Sequence, residues 1–194
     1  MHINNRNLSK KILSWYDNNK RTLPWRISKN SKKKQYYRIL SEFMLQQTQV
    51  KTVIPYFNNF VKKIPNLKAL SQSNEKKVLK LWEGLGYYNR AKNLHKTSKI
   101  LIKKYNGQIP ESFVKLKELP GIGDYTANVL LALIYNQPRI ALDGNVKRVL
   151  FRLFNINVED TVNLFKTKRN GDLAEALMEF GALICKPKNP RCHE

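Results

Sequence analysis

A chain of 194 residues, 42% of them hydrophobic, has enough apolar material for one domain or two small lobes, and eight glycines and eight prolines exclude a fibrous or low-complexity chain. No run approaches the roughly eighteen apolar residues of a membrane span, and Met1 to Lys11 is polar rather than signal-like, so a soluble cytoplasmic protein is expected. Lys and Arg total 36 against 14 acidic residues, a net charge of +22, which points to a polyanionic partner, nucleic acid first; lysines outnumber arginines 26 to 10, and an AT-rich genome would leave the same bias on any protein.

The apolar period is helical nearly throughout. Leu8, Ile12, Trp15 and Tyr16 recur at helical spacing, and Asp17 to Arg21 break the pattern. Leu23-Pro24-Trp25 reads as extended and residues 28–35 as a solvated loop. Helices are predicted over Tyr36 to Gln47 and over Val53 to Ile64, with Pro55 in the first turn, where proline is tolerated. Glu75 to Leu81 and Arg90 to Tyr105 follow, joined by Gly84-Leu85-Gly86-Tyr87-Tyr88. A short helix at Phe113 to Leu119, two apolar ones at Tyr125 to Tyr135 and Val146 to Phe154, and a last one at Leu173 to Ile184 complete an all-α chain. No alternating run suggests a strand.

Four segments carry chemistry. Leu119-Pro120-Gly121-Ile122-Gly123-Asp124-Tyr125-Thr126-Ala127 places two glycines in a tight turn before a helix, whose first N–H groups and positive dipole end suit a phosphate. A plain helix–helix connection reads equally well. Asp143, in Leu142-Asp143-Gly144-Asn145-Val146-Lys147-Arg148, sits at or next to an N-cap, where N–H bonds keep a carboxylate ionised. Such a group supports a sugar cation, or is simply a cap. Glu42 stands beside Ile39 and Leu45 on an apolar stripe, where desolvation would let it act as an acid; a boundary glutamate paired with Arg38 is the alternative. Cleaving a bond to an anomeric carbon uses one protonated and one ionised carboxyl. Trp82-Glu83-Gly84-Leu85-Gly86-Tyr87-Tyr88-Asn89-Arg90 presents tyrosines amid cations, as unstacked DNA requires, although core packing explains at least one of the two.

Together with Thr22-Leu23-Pro24-Trp25-Arg26, Ser41-Glu42-Phe43-Met44-Leu45-Gln46-Gln47-Thr48-Gln49-Val50, Val53-Ile54-Pro55-Tyr56-Phe57 and Gly181-Ala182-Leu183-Ile184-Cys185, these segments resemble the adenine DNA glycosylases, a branch of the helix-hairpin-helix superfamily that includes endonuclease III. The match runs in family order from about residue 12 to the end, and the M-L-Q-Q-T and L-D-G-N-V-K-R-V strings are its most specific parts. The resemblance implies two helical lobes with a DNA cleft between them. One is a barrel over residues 28–136, with the hairpin at about 113–135; the other joins residues 1–27 to 137–194. It implies removal of adenine mispaired with 8-oxoguanine or guanine, the base first leaving the stack.

The same resemblance gives Glu42 the role of protonating adenine N7 and aiding water, and Asp143 that of stabilising or capturing the sugar cation. Tyr125 and Asn145 become their hydrogen-bonding supports. Trp25, Arg26, Leu45 and Glu175 would line the adenine pocket, while Gln47 and Tyr87 fill or wedge the duplex. Gly121 and Gly123 would offer N–H groups to a DNA phosphate, and Lys147 would contact DNA and trap a product sugar weakly. Endonuclease III-like lyases carry lysine where this chain has Tyr125, so base removal without efficient strand cleavage is expected. A lyase on damaged pyrimidines and an inactive DNA-binding module remain the competing readings.

The family's four-cysteine pattern C-x6-C-x2-C-x5-C around a [4Fe–4S] cluster is matched by Cys185 and Cys192 only. The pattern stops in mid-course at Glu194, so a fragment of a longer protein is expected. The interval from Trp25 to Glu42 is longer than usual, and that from Phe154 to Leu173 shorter by about a helix. The domain that reads 8-oxoguanine is not in this sequence. The expected partner is double-stranded DNA with an adenine mispair, not a membrane, and the expected state a monomer.

Overall fold

Helical periodicity becomes helical structure in the computed structural model, which describes residues 5–26, 31–154 and 165–193. Among the described residues the fold is all-α, with ten α-helices, one 3-10 turn and no strand. The chain divides into two compact units, one of Thr22–Ala127 and one of Met1–Arg21 with Asn128–Glu194.

In the Thr22–Ala127 unit the central element is α2 (Ser31–Leu45), whose residues 38–44 are all buried. This stretch is buried on every side, with Ile39, Leu40, Phe43 and Met44 fully enclosed. α3 (Val50–Lys63) packs against it through Val53, Phe57 and Phe60. Two short helices, α4 (Leu67–Gln72) and α5 (Glu75–Trp82), start at Asn66 and Asn74, whose side chains accept the Ala69 and Lys76 N–H groups at 2.8 and 2.9 Å. α6 (Asn89–Tyr105) lies on α2, α4 and α5 and ends at Asn106, in the left-handed region at φ 51°. α7 (Phe113–Lys117) and α8 (Asp124–Tyr135) flank the Gly121 turn.

The other unit is built on α1 (Asn5–Asn19), α9 (Gly144–Phe154) and α10 (Asn170–Leu183). Ile12, Tyr16, Val149, Leu150 and Leu177 form the middle of its core. Arg21 grips Glu179 with two nitrogens at 2.8–3.2 Å, and Arg169 holds Asp17 at 2.7–2.8 Å, so α1 is tied to the α10 region at two places. The seam between the units falls inside α8. Past it, Asn136 is bonded to Lys168, Asn170 and Gly171, which draws the end of α8 to the start of α10.

Several local expectations are corrected. The lysine-rich stretch taken as loop is helical from Ser31, because Lys32 and Lys33 are good helix formers turned to water; residues 28–30 lie outside the described residues. Pro24–Arg26 is a 3-10 turn, not an extended segment. α1 continues to Asn19, since Asn18 and Asn19 bond back to the Ser14 and Trp15 carbonyls at 2.9 and 2.8 Å. α3 starts at Val50, which moves Pro55 to the second turn. Lys51, whose carbonyl loses its helical donor there, is exposed and open to water.

Candidate active site and nucleic-acid interface

Within the Thr22–Ala127 unit, α2 carries Glu42 inward, 8% exposed, three residues before the half-buried Leu45. Trp25 is 3% exposed and packs edge-on against Phe57 at 5.3 Å, so its ring is part of the core beside α2; Arg26 is half-buried.

The helix then stops abruptly. Gln47 is exposed and left-handed at φ 56°, an uncommon state for a residue with a Cβ. Tyr87, at the end of the Gly84–Gly86 turn, is also left-handed, at φ 51°, and 62% exposed. Both sequence-predicted wedges therefore project from sharply bent backbone, and Tyr88 beside them is 44% exposed.

Gly121 has φ +80°, and a Cβ there would sit 2.7 Å from Phe43 Cε1 and 2.9 Å from Asn93 Cβ. Only glycine meets both demands. Gly123 is different, with open space where a Cβ would go. The first α8 bond runs from Ala127 N–H to Gly123 O at 2.9 Å, so the helix start stands at this turn with Tyr125, half-buried, in its first turn. Asp124 ion-pairs with Lys117 there, leaving a partly neutralised carboxylate at the turn. Gln46 Nε2 donates to Gly121 O at 3.2 Å, which joins the α2 terminus to the hairpin.

Within the other unit, Asp143 is the N-cap of α9. Its Oδ1 accepts the Val146 N–H at 2.7 Å and its Oδ2 the Asn145 amide at 3.3 Å. Asp143 and Asn145 are thus brought together, both half-buried, with Lys147 exposed on the following turn. α10 approaches closely at Gly181, where a Cβ would lie 2.7 Å from Asn145 Cβ. Glu175 is buried on α10 and accepts the Tyr16 hydroxyl at 2.8 Å.

Two arginines essential to this geometry escaped the sequence reading as functional residues. Arg148 donates to Asn145 Oδ1 at 2.8 Å, Gly181 O at 2.7 Å and Cys185 O at 2.7 Å, fixing Asn145 against α10. Arg90, 8% exposed, donates to carbonyls at the end of α2 and in the Gly84–Gly86 turn.

The cysteines are a partial ligand set for the iron–sulfur cluster that the resemblance implies. Such a cluster takes four thiolates, and the sequence holds two cysteines. Cys185 is half-buried, with Arg152 Nη1 3.5 Å from its sulfur, and Cys192 is exposed. Among the described residues no group of three His, Cys, Asp or Glu side chains could hold a metal. No helix there is long and apolar enough to cross a membrane.

Residues 40–171 match the family described as HhH-GPD superfamily base excision DNA repair protein. The chain is similar to the adenine DNA glycosylase of Buchnera aphidicola subsp. Baizongia pistaciae, with 46% identity over 94% of the chain and 54% of that protein. It is also similar to the adenine DNA glycosylase of Mus musculus, at 38% identity over 93% of the chain and 38% of that protein. The chain spans about half the length of the bacterial relatives it matches. In fold it is similar to a thermostable thymine-DNA glycosylase, with TM-score 0.83 and 24% identity over 96% of this chain and 90% of that one. A non-covalent endonuclease III–DNA complex gives TM-score 0.77 at 22% identity, over 97% and 89% of the two chains.

Proposed function

Since the chain belongs to the HhH-GPD superfamily of base excision DNA repair proteins, we propose that it hydrolyses the N-glycosidic bond of adenine mispaired with 8-oxoguanine or guanine in duplex DNA. The observation that carries this reading is the similarity, along nearly the whole chain, to adenine DNA glycosylases from bacterium and mammal alike. In this reading residues 28–136 are the barrel, with the helix-hairpin-helix at about 113–135. Residues 1–27 and 137–194 are the second helical lobe, with an incomplete cluster motif, and the enzyme works on DNA in the cytoplasm as a monomer.

The reaction breaks the C1′–N9 bond of the extruded adenosine and attaches water oxygen to C1′. Glu42, enclosed on α2, gives a proton to adenine N7 so that the base leaves neutral, and then takes one from the attacking water. Asp143 stands as a carboxylate whose second oxygen is oriented by Asn145. Its charge stabilises the oxocarbenium-like sugar. Tyr125 supports the carboxyls by hydrogen bonding and supplies no amine for a Schiff base. Trp25, Arg26, Leu45 and Glu175 are the residues assigned to binding the base. Gln47 and Tyr87 enter the duplex, and Gly121 and Gly123 present N–H groups to a phosphate. Lys147 contacts DNA and traps a product sugar only weakly.

The test is adenine release from a duplex with adenine opposite 8-oxoguanine, comparing the native chain with Glu42→Gln. Release by the native chain and a loss on the order of a hundredfold or more in the variant are expected. No release by the native chain overturns the reading; equal release by both removes Glu42 from its role. A strong borohydride-trapped adduct on a pyrimidine-lesion duplex would replace it with a lyase.

A further inference from the structure

We infer that Arg90 is a positioning residue, a single guanidinium that locks the two DNA-entering residues, Gln47 and Tyr87, into one rigid device. The inference rests on the glycosylase reading, and everything it uses lies in the Thr22–Ala127 unit.

Arg90 is the second residue of α6 and is buried. Its Nη1 donates to Met44 O at 2.7 Å, to Phe43 O at 3.3 Å and to Gln46 O, the carbonyl that precedes Gln47. Its Nη2 donates to Leu85 O at 3.2 Å and Gly86 O at 3.1 Å, the latter being the carbonyl that precedes Tyr87. The last turn of α2 leaves carbonyls with no helical donor, and one planar fork satisfies these together with the turn. The guanidinium also lies over two rings, 5.3 Å from the centre of Tyr87 and 5.6 Å from that of Trp82.

Gln47 and Tyr87 each have positive φ, a state that persists only where surroundings impose it. The peptide groups entering both residues end on the same side chain. Neither can shift without dragging the other, so the two side chains should enter the duplex in one step. Lysine cannot replace this fork, because it is a point charge on a flexible stem.

The experiment replaces the mispaired adenine with a fluorescent adenine analogue that brightens on unstacking. Extrusion rate, single-turnover cleavage and affinity for undamaged duplex are measured for the native chain and Arg90→Lys. Extrusion and cleavage are expected to fall at least about tenfold in Arg90→Lys, as misplacement near an ångström does. Affinity for undamaged duplex should stay within about twofold, since phosphate contacts carry it. Unchanged extrusion in a folded Arg90→Lys overturns the inference while leaving the glycosylase reading intact. Failure of the native chain to release adenine overturns both.

Gln47→Ala, Tyr87→Ala and the double variant decide the matter even where Arg90→Lys does not fold, since both residues are exposed. One coupled step predicts a double-variant loss smaller than the product of the single losses; a strictly multiplicative loss overturns the inference.

Discussion

Asp143 caps α9 through one oxygen and meets Asn145 through the other. The two duties are separable, because Asn caps a helix about as well as Asp. Asp143→Asn is expected to change stability by no more than about 0.5 kcal/mol while slowing adenine release by about a hundredfold to a thousandfold. Thermal melting and single-turnover cleavage on the same sample check this. His95 makes a different prediction. It is 1% exposed, its Nε2 is buried without a hydrogen-bond partner, and burial, with Lys99 adding to it, holds its pKa below the usual 6.5. Above that pH both folded and unfolded chains keep this imidazole neutral. As pH falls below 6.5 the unfolded chain takes up a proton that the folded chain refuses, so stability is lost on acidification. Urea melts over that window should show a slope that His95→Gln flattens. The arginines also divide the labour with the lysines. Arg21, Arg90, Arg148, Arg152 and Arg169 each make several hydrogen bonds, whereas Lys20, Lys80 and Lys117 each make an ion pair at an exposed position. In a chain with 26 lysines and 10 arginines, an arginine therefore marks a place where a planar fork is needed.

The hairpin shows how an element's tolerance is set by its backbone. Gly121→Ala forces a Cβ onto Phe43 and Asn93 at positive φ and is expected to cost about 1–3 kcal/mol. Gly123→Ala meets open space, so its melting point should stay close to the native value. Any loss of DNA affinity there would then report the phosphate contact itself, and fluorescence anisotropy on a short duplex reads it. α5, α6, α8, α9 and α10 were legible because their apolar residues recur over at least two turns. α4 was not, because six residues hold too little period; its signal was Asn66 ahead of Leu67 and Leu70. The motif-bearing residues were legible individually. The clasp of Arg90 was not, because its acceptors on α2 lie more than forty residues away in sequence, and spacing along the chain carries no trace of a carbonyl at a helix end.

At the scale of the whole molecule, the charge of +22 becomes a prediction about salt. Each phosphate neutralised adds about 0.9 to the slope of log affinity against log salt. Titrations at several salt concentrations should give a steep negative slope, and Lys147→Gln should lower it by about one unit. A flat dependence would assign the lysine excess to composition alone. The end of the second unit has its own consequence. Arg148 holds the Cys185 carbonyl at 2.7 Å, and Arg152 the Lys186 and Pro187 carbonyls at 2.7 and 3.2 Å. The peptide after α10 is thus anchored by guanidinium groups from α9. Arg152→Ala should free that peptide from residue 186 onward, and limited proteolysis should then cut there first.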